Sequence, residues 1–116
     1  MERMDDVEVT QADVAELPVV FDGSTLLLDV REHDEWRQGH AAGALHIPMG
    51  EIPARLGEVD PEATVYVMCH VGGRSQRVAQ YLVRNGYRAV NVSGGIMAWS
   101  AAGRPIVADG GGTGNA

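Results

Sequence analysis

The sequence predicts a small α/β domain, a parallel sheet with helices on both faces. Three observations predict it. First, three short apolar runs, Thr25–Asp29, Thr64–Met68 and Ala89–Val92, are rich in branched residues and lack polar alternation. That is the pattern of strands covered on both faces. Second, helical patterns stand between these runs, and strands alternating with helices build a parallel sheet. Third, 116 residues make one domain, not two. A chain of this length buries about two-thirds of its unfolded surface and needs no metal or disulfide staple.

The elements follow in order. Thr10 followed by Asp13 reads as a capping box opening a helix through Leu17. After the first strand, Glu32 to Gln38 predicts a short helix closed near Gly39. Leu45-His46-Ile47, before Pro48, is a weaker strand, and Glu51 to Leu56 a further short helix. The clearest helix runs from Ser75 to Arg84, with Val78, Ala79, Leu82 and Val83 on one face and Gln76, Arg77, Gln80 and Arg84 elsewhere. Asn85-Gly86 stops it. A last short helix covers Ile96 to Ala101. There is no internal repeat. The domain takes residues 1–108, with its ordered part at about 7–107. Residues 109–116 are half glycine with no large apolar side chain, which predicts a disordered tail.

Composition narrows the function. Hydrophobic residues make up 45% and charged residues 22%, ordinary for a soluble protein. No apolar run approaches the roughly 18 residues of a membrane span. The acidic N-terminus has no apolar signal core, so a cytoplasmic location is expected. All nine basic residues are Arg, against sixteen Asp and Glu, for a net charge of −7. An acidic chain with no basic tract argues against nucleic acid and anionic membranes as partners. The single Cys excludes an intrachain disulfide and a Cys-based zinc cluster. His33, His40 and His46 show no ligand spacing with Cys69, so neither metal nor cofactor is expected. The sequon Asn91-Val92-Ser93 reads as accidental without a signal peptide. The charge is uneven: residues 1–62 carry −11, and residues 63–108 carry +5 with no acid at all.

Ligands of open α/β sheets bind beyond the carboxyl ends of the strands. Here those ends carry Asp29-Val30-Arg31, Cys69 to Arg74, and Ser93-Gly94-Gly95. Cys69 follows a strand, and the loop Cys69-His70-Val71-Gly72-Gly73-Arg74 passes directly into the helix at Ser75. Gly72 and Gly73 permit backbone conformations that a Cβ obstructs. Successive N–H groups in such a turn form an anion nest, and the helix N-terminus adds more. Arg74 brings a formal charge to the same place. A thiolate at this focus is stabilised, so Cys69 reads as an activated nucleophile rather than an inert packing residue.

With these residues in view, the chain resembles the rhodanese-like sulfurtransferases. The match takes in the six-residue loop Cys69 to Arg74 and the following Ser75. Upstream it takes in Asp29-Val30-Arg31, Glu35-Trp36, Gly39-His40 and Gly43-Ala44; downstream, Asn91 to Ile96 and Trp99. It spans roughly residues 8–107. One departure is Ala41-Ala42, where the family usually has a larger apolar residue and Pro. The resemblance implies a thiosulfate sulfurtransferase working through a persulfide on Cys69. Its partners would be a small anionic sulfur donor and a thiol, cyanide or protein-thiol acceptor. Arg74 would hold donor oxygens or close the loop through a carboxylate.

The same residues bear on other functions. Cys-dependent phosphatases and arsenate reductases usually place Arg six residues after the Cys, but here position 75 is Ser. A loop one residue shorter is tight for tetrahedral phosphate. A persulfide carrier dedicated to one partner, or a protein-binding module without turnover, fits the same fold. Asp29 and Arg31 border the site and read as a structural strand-end salt bridge, with Arg31–Glu35 as one possible pair. His70 reads as a solvent-facing loop residue that supplies backbone N–H rather than a base.

Overall fold

The computed structural model describes residues 7–108. The glycine-rich stretch 109–116, expected to be disordered, lies outside the described residues. Among the described residues there are seven strands, β1 (Thr10–Ala12), β2 (Thr25–Asp29), β3 (His40–Ala41), β4 (Leu45–His46), β5 (Thr64–Met68), β6 (Arg88–Val92) and β7 (Ile106–Val107). Four α-helices join them: α1 (His33–Gln38), α2 (Ile52–Arg55), α3 (Gly73–Arg84) and α4 (Gly95–Ala101). The main sheet has the order β1-β6-β5-β2-β4, and every pairing in it is parallel. β3 and β7 form a separate antiparallel pair.

Strand residues alternate between two cores, as a pleated strand requires. On one face, Leu28, Val65 and Val67 meet Ile52 of α2 and Val78, Ala79 and Leu82 of α3. On the other, Leu27 and Met68 meet Ile96 and Trp99 of α4. Leu28, Val65 and Val67 are all fully buried. Burying such side chains contributes about 1.5–3 kcal/mol each. Helices on both faces explain why the interiors of β2 and β5 are apolar without polar alternation. No helix among the described residues is long and apolar enough to cross a membrane.

The N-terminal helix expected from Thr10 to Leu17 does not form. Residues 10–12 instead pair with β6, Thr10 opposite Val90 and Ala12 opposite Val92. One turn of 3-10 helix, Val14–Glu16, follows. Its cap starts later than the Thr10–Asp13 spacing suggests: the Asp13 N–H donates to the Glu16 carboxylate at 2.7 Å. The other differences are at boundaries. α3 begins at Gly73 and α4 at Gly95, because the loops run straight into them. β4 ends at His46, one residue short of Ile47. The helix expected at 51–56 is α2, flanked by 3-10 turns at Met49–Glu51 and Leu56–Glu58. The β3–β7 pair, two residues a side, carries no sequence signal.

Because the central strands run parallel, Asp29, Met68 and Val92 end them on one edge of the sheet. The loops that carry the candidate site leave from that edge.

Candidate active site

Cys69 comes directly after β5, at the base of the turn that leads into α3. It is only 1% exposed. The turn is set at Gly72, whose φ of 123° lies where side chains are rarely tolerated. That conformation aims the Gly72 N–H inward, and it donates to the Cys69 sulfur at 3.1 Å. The Ser75 hydroxyl, from the first turn of α3, lies 3.3 Å from the same sulfur. Burial pushes the Cys69 thiol up. Hydrogen bonding from the Ser75 hydroxyl and from the backbone of Ser75, Gly72 and Arg74 outweighs burial, and the thiol titrates below its ordinary value.

The two loop glycines are not equivalent. A Cβ at Gly73 would meet nothing within 4 Å, and its φ is not in the left-handed region. Gly72 makes the turn; Gly73 opens the helix. His70 and Val71 form the exposed tip, with Val71 61% exposed.

Arg74 points back across the site to α1. Its two terminal nitrogens donate to the two Glu35 carboxylate oxygens at 2.7 and 3.0 Å. This fork holds the Glu35 carboxyl down to about 2 and pushes the Arg74 guanidinium up. The carboxylate contact expected as one of Arg74's two roles is present, made to Glu35. Asp29 and Arg31 form the buried strand-end pair, at 2.8 Å, with Asp29 fully buried. Arg31 does not pair with the Glu35 carboxylate. It donates instead to the Glu35 and Gly39 carbonyls, tying α1 to the end of β2. Glu35 is thus held from one side by Arg31 and from the other by Arg74.

The sequence places Ser93-Gly94-Gly95 at this edge and Asn91 to Ile96 in the resemblance, but two sets of contacts made there are not legible in it. The first is the α4 turn. The N–H groups of Ile96 and Met97 donate to the Cys69 and His70 carbonyls at 2.8 and 3.2 Å. The approach is close enough that a Cβ at Gly95 would lie within 2.7 Å of the His70 carbonyl carbon. The second is Asn91, buried in the middle of β6. Its Oδ1 lies 2.6 Å from the Ser75 hydroxyl, and its Nδ2 donates to Gln11 of β1 at 2.9 Å. A polar residue inside an apolar strand was the available signal, since a buried amide must find partners.

The remaining histidines do not approach the loop. His40 and His46 stack on Trp36 at 3.5 and 4.5 Å, and His33 meets the edge of His46. A cavity of about 330 Å³ opens beside the loop, between α1 and α4, lined by Arg31, Glu35, His70, Ile96 and Met97 among others. Cys69 does not line it, but its neighbour His70 does.

Residues 12–102 match the rhodanese-like domain family. A protein of Allochromatium vinosum named a sulfurtransferase is 43% identical over 84 residues, covering 72% of this chain and 78% of that protein. The crystal structure of a rhodanese-like domain protein from Staphylococcus aureus superimposes with a TM-score of 0.67 at 31% identity, covering 78% of this chain and 91% of that one. A rhodanese-related protein from Thermoplasma volcanium gives 0.69 at 32% identity, over 72% and 84% of the two chains. Loop, sheet order and motif sequence agree with one another over nearly the whole described chain. It belongs to the rhodanese-like sulfurtransferase domain family.

Proposed function

We propose that this chain is a sulfurtransferase that moves a sulfane sulfur from thiosulfate, or a similar anionic donor, to a thiophilic acceptor through a persulfide on Cys69. The Cys69 thiolate attacks the outer sulfur of thiosulfate. A new sulfur–sulfur bond forms, the donor's sulfur–sulfur bond breaks, and its electron pair leaves with sulfite. The persulfide anion then gives its outer sulfur to cyanide, a small thiol or a protein thiol, regenerating the thiolate. Two half-reactions on one nucleophile predict ping-pong kinetics.

One observation carries this reading. The sole Cys of the chain sits where N–H and O–H donors converge, with Gly72 N–H at 3.1 Å and the Ser75 hydroxyl at 3.3 Å. Backbone donors fixed in advance stabilise an anion with little reorganisation, both as thiolate and as persulfide. Gly72 and Ser75 hold the sulfur; His70, Val71, Gly73 and Arg74 shape the loop around it; Asp29 and Arg31 support α1 from behind.

Thiosulfate treatment followed by intact mass measurement tests the reading. The expected result is one added sulfur on the wild type and none on Cys69→Ser. No adduct on the wild type, or the same adduct on the variant, overturns it.

A protein acceptor in place of a small thiol is supported by a separate observation. Val71, 61% exposed, stands at the tip of the loop, and Met97, 55% exposed, holds the neighbouring His70 carbonyl through its backbone N–H. An apolar rim of this kind suits a protein surface better than cyanide. Fast turnover with cyanide or dithiothreitol indicates a free enzyme. Loading without turnover indicates a carrier that needs its partner.

A further inference from the structure

Ser75 has one hydroxyl proton and two acceptors for it. Asn91 Oδ1 lies at 2.6 Å and the Cys69 sulfur at 3.3 Å. Behind Asn91 stands a row of amides. Asn91 Nδ2 donates to Gln11 Oε1 at 2.9 Å, and Gln11 Nε2 donates to Gln76 Oε1 at 2.6 Å. Asn91 is 4% exposed and Ser75 fully buried, whereas Gln11 lies on an exposed part of β1. The row therefore runs from the surface to the sulfur.

We propose that Asn91 is a positioning residue for Cys69: its amide orientation, passed inward through Gln76 and Gln11, decides whether the single Ser75 proton points at sulfur. With the amides as they stand, Asn91 Oδ1 takes the hydroxyl proton. The sulfur is then suited to be a thiol, whose S–H donates to the Ser75 oxygen. When the sulfur is a thiolate, the hydroxyl turns to it, and Asn91 Oδ1 loses its donor. Turning the Asn91 amide over restores a donor, with Nδ2 now facing the Ser75 oxygen. Gln11 then turns to give Nε2 to Asn91 Oδ1, and Gln76 turns to give Nε2 to Gln11 Oε1. Two weaker bonds of 3.3 Å are given up, Asn91 to the Gly72 carbonyl and Gln11 to the Val9 carbonyl, and the Ser93 hydroxyl, 3.5 Å from Gln11 Oε1, changes from donor to acceptor. The Gly72 carbonyl keeps the Gln76 backbone N–H at 3.1 Å. In the persulfide the charge moves to the outer sulfur, and the first arrangement is again the matched one.

The charged groups around Cys69 do not follow this change. Arg74 in its own loop is paired with Glu35 of α1, and Asp29 at the end of β2 is closed off by Arg31. His70 is exposed. β6 and α4 bring Asn91 and the Gly95–Ile96 backbone, which carry no charge.

The proposal rests on Cys69 being the reacting sulfur, yet it can be read without any sulfur transfer. The chain has one Cys, so the ultraviolet absorbance of the thiolate against pH reports Cys69 alone among thiols. Gln11→Glu offers acceptors only, and holds Asn91 Nδ2 toward position 11 and Oδ1 toward Ser75. Gln11→Lys offers donors only and holds Asn91 the other way. The expected result is a thiolate fraction about three- to tenfold lower for Gln11→Glu and higher by a similar factor for Gln11→Lys. Both shifts collapse in a Ser75→Ala background. Gln76→Glu, one amide further out, shifts in the same sense as Gln11→Glu and by less. Absent shifts, or shifts that keep more than half their size without the Ser75 hydroxyl, overturn the proposal in favour of plain charge effects. Failure to load sulfur from thiosulfate leaves these titrations unaffected and bears on the proposed function instead.

Discussion

Arg74 and Glu35 are 39 positions apart in sequence and meet as a two-pronged ion pair, nitrogen to oxygen at 2.7 and 3.0 Å. The pair clamps α3 to α1 across the mouth of the site. Both side chains are about one-third exposed, 31% and 32%. Solvent screening therefore limits its share of stability to about 1 kcal/mol or less.

If the clamp acts through loop geometry, Arg74→Ala and Glu35→Ala each slow loading from thiosulfate by a similar factor, and the double variant is no slower. If Arg74 instead binds donor oxygens directly, only its own substitution slows loading. Single-turnover loading followed by mass spectrometry separates the two, because non-additivity marks residues that act as a unit.

The same pair sets an acid dependence. Arg74 holds the folded-state Glu35 carboxyl down to about 2, from an ordinary 4.5. A depressed carboxyl contributes stability that is full above its unfolded value and is lost as pH falls toward the folded one. The midpoint of thermal unfolding should fall as pH drops from about 4.5 to about 2, and Glu35→Gln should remove part of that dependence. An unchanged acid limb in Glu35→Gln refutes this.

Gly95→Ala should disable the site from outside the loop. The new Cβ meets the backbone of Cys69 and His70, at a φ of +55°. We expect a loss of about 3 kcal/mol or more in urea unfolding, or a reshaped loop that no longer loads sulfur. Gly103→Ala is the control. Its φ is +75° but its Cβ site is open, so it should cost about 1–2 kcal/mol and leave loading intact.

Asp29→Ala should destabilise the fold rather than alter chemistry selectively. It leaves Arg31, 5% exposed, without its carboxylate. Breaking a buried pair on one side costs about 3–5 kcal/mol. Denaturant unfolding should show that loss, while replacement of both residues by apolar ones of similar volume recovers part of it.

The central strands, the main helix and the loop were legible because each carries a strong local pattern. The bounds of β2 and β5 agree with the sequence to the residue, since burial on both faces gives each an unbroken run between its ends. Those of β1 do not, because its three residues, Thr-Gln-Ala, have no such pattern. What holds β1 is remote: pairing to β6 and the Gln11 bonds to Gln76 and Asn91. Local capping propensity pointed to helix, and tertiary pairing overruled it. In the site, the sequence offers Cys69 through its chemistry and Gly72 through turn geometry, but not the Arg74–Glu35 pairing, because Glu35 comes from a different element. Gly95 and Asn91 act by close approach and by a buried hydrogen bond, and neither distance is written in the order of residues.

The α4 turn has a last consequence for how the domain could diversify. The loop is gripped at its two ends, by Ile96 and Met97 N–H groups on the Cys69 and His70 carbonyls and by the Arg74–Glu35 clamp. Its tip, Val71, is 61% exposed. The backbone around the sulfur is thus fixed without help from the side chain at position 71, so a substitution there is expected to change the outer surface of the loop and leave the Gly72 and Ser75 contacts in place.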